Sequence, residues 1–226
     1  MNKITAQTSA LKIIDQAWPI FLRQLRPSLT EKQVVRLLYQ VLRTHGFTAW
    51  AFPTIVAAGA NAAEPHHKPT DRKLTANEFI KIDFGVRYKG YCTDVTRTII
   101  LGKPSALHRK LFRIVRTAQK CAVRLLRAGV ETRLIDQAAR TSITRAGYGK
   151  YFIHSTGHGV SQTIHARPFL SPNPRRNAIL KVGDVVTIEP GIYIPGKLGI
   201  RIEDMYVVTR TGSRCLSATI SITLTP

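Results

Sequence analysis

Acidic residues are scarce in this chain. It holds 13 Asp plus Glu against 34 Lys plus Arg in 226 residues, a formal net charge of +21. That excess implies affinity for polyanions such as nucleic acid, ribosomes or anionic membrane surfaces. Cysteine is scarce too. Cys92, Cys121 and Cys215 are odd in number and far apart, which excludes a disulfide framework and zinc-finger spacing and points to a reduced cytoplasm. No run approaches the roughly 18 apolar residues of a membrane span. The N-terminus, Met1-Asn2-Lys3-Ile4-Thr5-Ala6, lacks a signal peptide's apolar core. A C₂H₂ pattern, an RNP-like aromatic string and a P-loop are all absent, so charge alone does not make a dedicated nucleic-acid binder. Linkers and low-complexity stretches are absent as well, and residues 1–226 read as one compact α+β domain with ample material for a core.

The hydrophobic pattern predicts a first helix over about 3–26, with Pro19 as a possible kink. A second opens at the capping box Thr30-Glu31-Lys32-Gln33 and stops near Gly46. Strand-like runs follow at 53–58, 79–86 and 91–101, the last two joined through Arg87-Tyr88-Lys89-Gly90. Helices are predicted over about 105–127 and 132–146, then irregular chain over 147–178. Strands at 184–194 and 199–210 are joined by Pro195-Gly196-Lys197, and a final strand is expected at 214–223. The order helix, helix, strands occurs twice, which suggests two similar halves without a sequence repeat.

Five residues carry the chemistry: Asp83 in Ile82-Asp83-Phe84-Gly85, Asp94 in Tyr91-Cys92-Thr93-Asp94, His158 in Gly157-His158-Gly159, Glu189 in Ile188-Glu189-Pro190-Gly191 and Glu203 in Arg201-Ile202-Glu203-Asp204. Four carboxylates and an imidazole suit divalent ions such as Mn, Co, Zn or Fe. Two cations about 3.5–4 Å apart need several anionic oxygens to offset their repulsion. The first two acids lie on one predicted hairpin and the last two on another. Period-two alternation lets each hairpin present its pair on one face, so both halves are needed to complete a site.

These motifs resemble the pita-bread metallopeptidases, which include methionine aminopeptidase, aminopeptidase P and prolidase. The resemblance runs from about residue 8 to 212. It leans toward the Xaa-Pro branch through Tyr91–Thr98, Gly199–Asp204 and Thr54–Asn61. It implies a pita-bread fold of two pseudo-symmetric halves and a peptidase cleaving before proline, an aminopeptidase or a dipeptidase, by attack of a metal-bridging hydroxide. Two divalent ions would be held, Mn being favoured: Asp83 on one, His158 and Glu189 on the other, with Asp94 and Glu203 bridging. Glu189 would shuttle the proton, and His165 would stabilise the tetrahedral intermediate. His66 would act at the substrate side, with His67 as its alternative. His154 would support the site or line a proline pocket, and Arg201 would brace the carboxylates. The resemblance starts at the family's catalytic domain, so the N-terminal domain of many relatives is not expected.

Ser161 stands where the branch has Gly, and Ala166 where it has an acid, which bears on efficiency and substrate preference. Cys92 reads as a small strand packer that could share the face of Asp94. Arg109, Arg113, Arg116, Lys120, Arg124 and Arg127 trace one face of the third helix. That face is either a solvated exterior or a phosphate-contacting dock for RNA or a ribosome. The alternatives to an Xaa-Pro peptidase are a methionine aminopeptidase and a non-catalytic pita-bread binding module.

Overall fold

A computed structural model describes residues 1–225. Helix α1 (Lys3–Gln24) starts where the Asn2 side chain accepts from Thr5 N, and it runs unbroken through Pro19. It stops two residues earlier than the pattern suggested. Leu25 is extended, and Arg26 precedes Pro27, which disfavours helical backbone there. Helix α2 (Glu31–Arg43) carries the expected capping box of Thr30 and Gln33. Helices α3 (Ala106–Leu125) and α4 (Thr132–Arg145) complete the helical set, and a second capping box, Ser105 with His108, opens α3.

The first half has a three-stranded antiparallel sheet, β2 (Ile55–Ala58), β3 (Phe79–Phe84) and β6 (Val95–Ile100), in the order β2-β3-β6. Two short strands, β4 (Val86–Tyr88) and β5 (Tyr91–Cys92), are inserted between β3 and β6; they pair with each other, and β4 also pairs with β1 (Ala49–Trp50), in the order β1-β4-β5. The continuous hairpin expected from 79 to 101 is therefore broken. At Gly85 an added Cβ would lie 1.9 Å from Thr93 O, so the two strands cross too closely for any side chain, and the ladder changes direction. The turn itself falls at Lys89-Gly90, within the expected segment.

The second half repeats this plan. Strands β9 (Val185–Ile188) and β12 (Asp204–Val208) pair antiparallel, and the hairpin β10 (Gly191–Ile194) with β11 (Leu198–Arg201) is inserted between them. The long strands expected here are split too, at Pro190, which has no N–H for a ladder, and at Ile202-Glu203. The stretch 147–178, expected to be irregular, contributes β7 (Gly157–Gly159) and β8 (Ala166–Leu170). With β13 (Ser213–Cys215) they give the five-stranded order β13-β12-β9-β7-β8. The last strand is far shorter than the expected 214–223. After Cys215 the chain is held by isolated backbone bonds, Leu216 N to Met205 O and Ile100 N to Leu224 O, and by side chains: Ser217 Oγ donates to Asp204, and Arg97 donates to the carbonyls of Ile220 and Ser221.

Two apolar cores result. One gathers α1, α2 and the first sheet around Trp18, Phe21, Leu38 and Phe84; the other gathers α3, α4 and the second sheet around Leu111, Val115, Ile135 and Ile188. Polar bonds stitch the halves together between the two inserted hairpins. Thr96 Oγ1 donates to Glu203 Oε2 at 2.6 Å, Glu203 N donates to Thr96 O at 3.1 Å, and Arg97 pairs with Asp204 at 2.8 Å. No helix among the described residues is long and apolar enough to cross a membrane.

Candidate metal centre

The four acids occupy equivalent places in the two halves, at the bases of the inserted hairpins. Asp83 is near the end of β3 and Asp94 just precedes β6; Glu189 just follows β9 and Glu203 just precedes β12. Asp83 pairs in register with Thr96, two residues beyond Asp94, so both acids face the same way. His158 comes from β7, at a register shift against β8. Its Nδ1 lies 3.1 Å from Gly159 O, which turns Nε2 toward the acids, 3.3 Å from Glu189 Oε1 and 3.5 Å from Asp94 Oδ2. Ligand atoms of Asp94, His158 and Glu203 all lie within 4.8 Å of one another. All five candidates line one deep pocket of about 80 Å³, which opens through His66, His158, His165, Glu189 and Arg201 into an outer cleft of about 390 Å³.

This donor set fits divalent cations. Asp83 Oδ1 is buried and has no hydrogen-bond partner. Among the described residues Arg201 is the one guanidinium bonded within the cluster, through its contact with Asp83 Oδ2. Burial, then mutual repulsion, drives Asp94 and Glu203 well above the usual carboxylate range. Burial raises Glu189 to about 8, with Arg201 opposing. Acids crowded in this way are discharged either by protons or by cations, and oxygen with imidazole nitrogen is the donor chemistry of hard to borderline ions.

Around the acids stand the histidines. His66 lines both the pocket and the cleft, while His67 is buried away from them, 2.8 Å from Glu31 and 3.0 Å from Glu64. Of the two, His66 is the one at the site. The ring of His165 sits edge-on to that of His158, centroids 4.5 Å apart. Burial depresses the pKa of both His66 and His165, so both are neutral at pH 7. His154 Nε2 is 2.8 Å from Tyr193 Oη, and burial lowers its pKa to about 3. Arg201 donates to Thr96 Oγ1, Tyr193 Oη and Pro65 O as well as to Asp83. Cys92 points elsewhere, its Sγ toward Gln162 O. Ser161 binds the chain of β5 through its carbonyl, which accepts from Cys92 N at 2.7 Å, and Ala166 opens β8 opposite Gly159.

Two residues were missed by sequence reasoning. Tyr193, buried on β10, links His154 to Arg201. Lys81 is fully buried on β3, two residues from Asp83. Its Nζ donates to Ala62 O, Glu64 O and Pro65 O at 3.2, 2.5 and 3.3 Å and lies 5.0 Å from the centre of the Tyr193 ring. Burial, then the Arg201 charge, push its pKa down to about 6, yet three carbonyl acceptors require the three N–H donors that only the ammonium has. Lys81 thus clamps the chain that leads into His66. Gly199 of β11 is pressed against the same loop, where an added Cβ would lie 1.9 Å from Ala62 O.

The helix pairs, the two interrupted sheets and the carboxylate-rich pocket between them make the α+β pita-bread fold, a class built around a metal centre. The chain belongs to metallopeptidase family M24, whose model matches residues 6–210. It is 39% identical over 216 residues to the uncharacterized peptidase YqhT of Bacillus subtilis, covering 96% of this chain and 61% of that protein. Among solved structures it resembles the Xaa-Pro dipeptidase from Bacillus anthracis, with TM-score 0.93 and 39% identity over 99% of this chain and 62% of the other. It also resembles the X-Pro aminopeptidase from Thermotoga maritima, with TM-score 0.92 and 38% identity over 98% and 62%. The prolidase from Pyrococcus furiosus matches with TM-score 0.90 and 37% identity over 95% and 63%. The chain thus spans about three-fifths of the length of the proteins it matches.

Proposed function

We propose that this chain is a metal-dependent exopeptidase that cleaves the bond before a proline at the second position of its substrate, as an Xaa-Pro aminopeptidase or dipeptidase. The observation that carries this reading is the deep pocket, in which Asp83, Asp94, His158, Glu189 and Glu203 converge beneath a cleft lined by His66 and His165. Its support is the similarity to an X-Pro aminopeptidase and an Xaa-Pro dipeptidase.

The five donors would hold two divalent ions, with Mn favoured. Such ions supply Lewis acidity and charge neutralisation, the chemistry that makes water a nucleophile near neutral pH. The protein's own groups do the rest. Thr187 Oγ1 donates to Glu189 Oε1 at 3.2 Å, which orients the carboxyl that accepts the proton and passes it to the leaving amine. His165, neutral and at the pocket mouth, presents an N–H to the oxygen on which charge develops. His66 faces the substrate from the opposite loop. Arg201 and Tyr193 fix the wall between His154 and Asp83, so the cleft is shaped before substrate arrives.

The test is hydrolysis of X-Pro and Met-X peptides by protein loaded with Mn, Co or Zn, with Asp94→Ala as the control. Release of the residue before proline, lost in the variant, is expected. A loaded protein that cleaves neither class would sink the proposal, and cleavage of Met-X alone would replace it with methionine removal. Two bound ions without turnover would make the chain a binding module.

A further inference from the structure

The charge of this chain is distributed unevenly between inside and outside. Six of the 13 acids are buried: Glu31, Asp83, Asp94, Asp136, Glu203 and Asp204. Only three of the 34 cations are, Lys81, Arg97 and Arg201. The exterior is therefore more positive than the net charge of +21 alone indicates. The excess is densest on α3 and α4, where residues 103–150 hold 12 Lys or Arg against two acids. Both acids are spent on α4 and leave α3 untouched: Asp136 accepts from Arg140 Nε and Nη2 and from Thr156 N and Oγ1, and Glu131 accepts from Asn177 and lies 3.9 Å from Arg133.

Arg109, Arg113, Lys120 and Arg124 on α3, and Arg127 just beyond its end, are exposed, and among the described residues none has a carboxylate within 4.0 Å. Arg116, half-buried, continues their row. From Arg109 to Arg124 the row rises about 22 Å, at about 1.5 Å per residue, and Arg127 continues it past the helix end. A trough between α3 and α4, about 580 Å³, is floored by Cys121, Leu125 and Ala138, with exposed Leu134 at its rim; an adjoining hollow, about 350 Å³, lies on α4 against Pro172 and is lined by Arg133, Asp136, Arg140 and Arg145. The two share Gln137, Thr141 and Arg145. No residue of α3 or α4 lines the metal pocket or its cleft.

From this face we infer a second function: the α3–α4 surface binds single-stranded RNA without sequence preference. Guanidinium forks match phosphate oxygens, and a linear row of unpaired cations matches a linear polyanion better than a single charged ligand. The trough gives unstacked bases an apolar floor beside the row. Base-edge readout is absent, so affinity comes from counterion release and falls steeply with salt. A membrane surface fits less well, because binding there needs apolar side chains reaching past the cations. The exposed positions between the arginines of the row, such as Lys110 and Thr117, supply none, and the large exposed apolar side chains described on α3 and α4 are two, Leu107 and Leu134, both outside the row.

The experiment is fluorescence anisotropy of a labelled 20-nucleotide oligo(U) against the full chain, titrated at several salt concentrations. Micromolar binding at low salt is expected, with a log–log salt slope of about −3 to −4 for five phosphate contacts at roughly 0.7 each. Arg113→Glu/Lys120→Glu/Arg124→Glu should weaken binding at least about tenfold and flatten the slope by about 2. The equally charged control Arg23→Glu/Arg36→Glu/Arg43→Glu, exposed on α1 and α2, should change affinity less than about threefold. Circular dichroism checks that both variants fold. No binding by the wild-type chain overturns the inference, as does equal loss in the control, which would mean diffuse charge and no site. Phosphatidylserine vesicles binding as tightly, with the same dependence on the α3 variant, would replace RNA with a lipid surface.

Discussion

Replacing Lys81 with Met should disable His66 from a distance. The substitution keeps an unbranched side chain, one atom shorter, and removes its donors, so Ala62 O and Glu64 O lose their ammonium contact while Pro65 O keeps Arg201. A buried carbonyl left unsatisfied costs about 1–3 kcal/mol. The relief of no longer burying an ammonium offsets part of this, leaving a net loss of about 1–2 kcal/mol, or a Tm lower by roughly 2–8 °C for a chain of this size. The effect on catalysis is larger. The loop into His66 loses its anchor, and misplacement of a catalytic group by about 1 Å can lower activity about 100-fold. We expect kcat/KM on an X-Pro peptide to fall about 10- to 100-fold while metal stoichiometry stays unchanged. The decisive assay is the cycle with His66→Ala. If Lys81 acts through His66, Lys81→Met should cost less than about twofold in the His66→Ala background. Full additivity would refute the reasoning and make Lys81 a structural residue only.

Other outcomes follow from the same geometry. Glu189→Gln keeps the shape of the side chain and removes its proton acceptor; kcat should fall about 10²- to 10⁴-fold, and a fall under tenfold would assign the proton to another group. The metal-free protein should lose stability as pH rises from about 4.5 to 8. The raised Glu189 pKa means the folded state holds its proton more tightly than the unfolded chain, so each unit across that window removes about 1.4 kcal/mol, read as denaturation midpoints against pH. A rising midpoint over that range would contradict the assignment. Glu31→Ala leaves Ala58 N, Asn61, Thr70 and His67 without their common acceptor. It should cost about 3–5 kcal/mol, visible as a fall of roughly 6–20 °C in thermal melts.

Much of the candidate site could be read from the chain because each acid sits in a short, distinctive string and acids are rare elsewhere. Helix starts were legible for a local reason: the Thr30 and Ser105 caps act within three residues. The broken hairpins were not. Beyond Gly85 and beyond Glu189-Pro190 the β-branched pattern resumes, so the glycine and the proline alone do not show that the chain leaves its ladder, and the bends depend on how closely two distant segments cross. Strands β7 and β8 were hidden because Gly157-His158-Gly159 and the proline-containing β8 show no alternation. Lys81, between Ile80 and Ile82, reads as the solvent face of a strand. Both faces of β3 are covered, and only tertiary packing shows it.

The symmetric placement of the acids has a mechanical consequence. The chain divides at Gly102-Lys103-Pro104, between β6 and α3, and that division leaves two acids on each side, while the apolar cores reach across it: Val185, Met205 and Val207 join the first core, and Phe79 and Ile100 the second. An ion gripped by both pairs would act as a rivet across that seam, added to the Thr96–Glu203 and Arg97–Asp204 bonds that already close it, so metal loading would tie the unfolding of the two halves more tightly together.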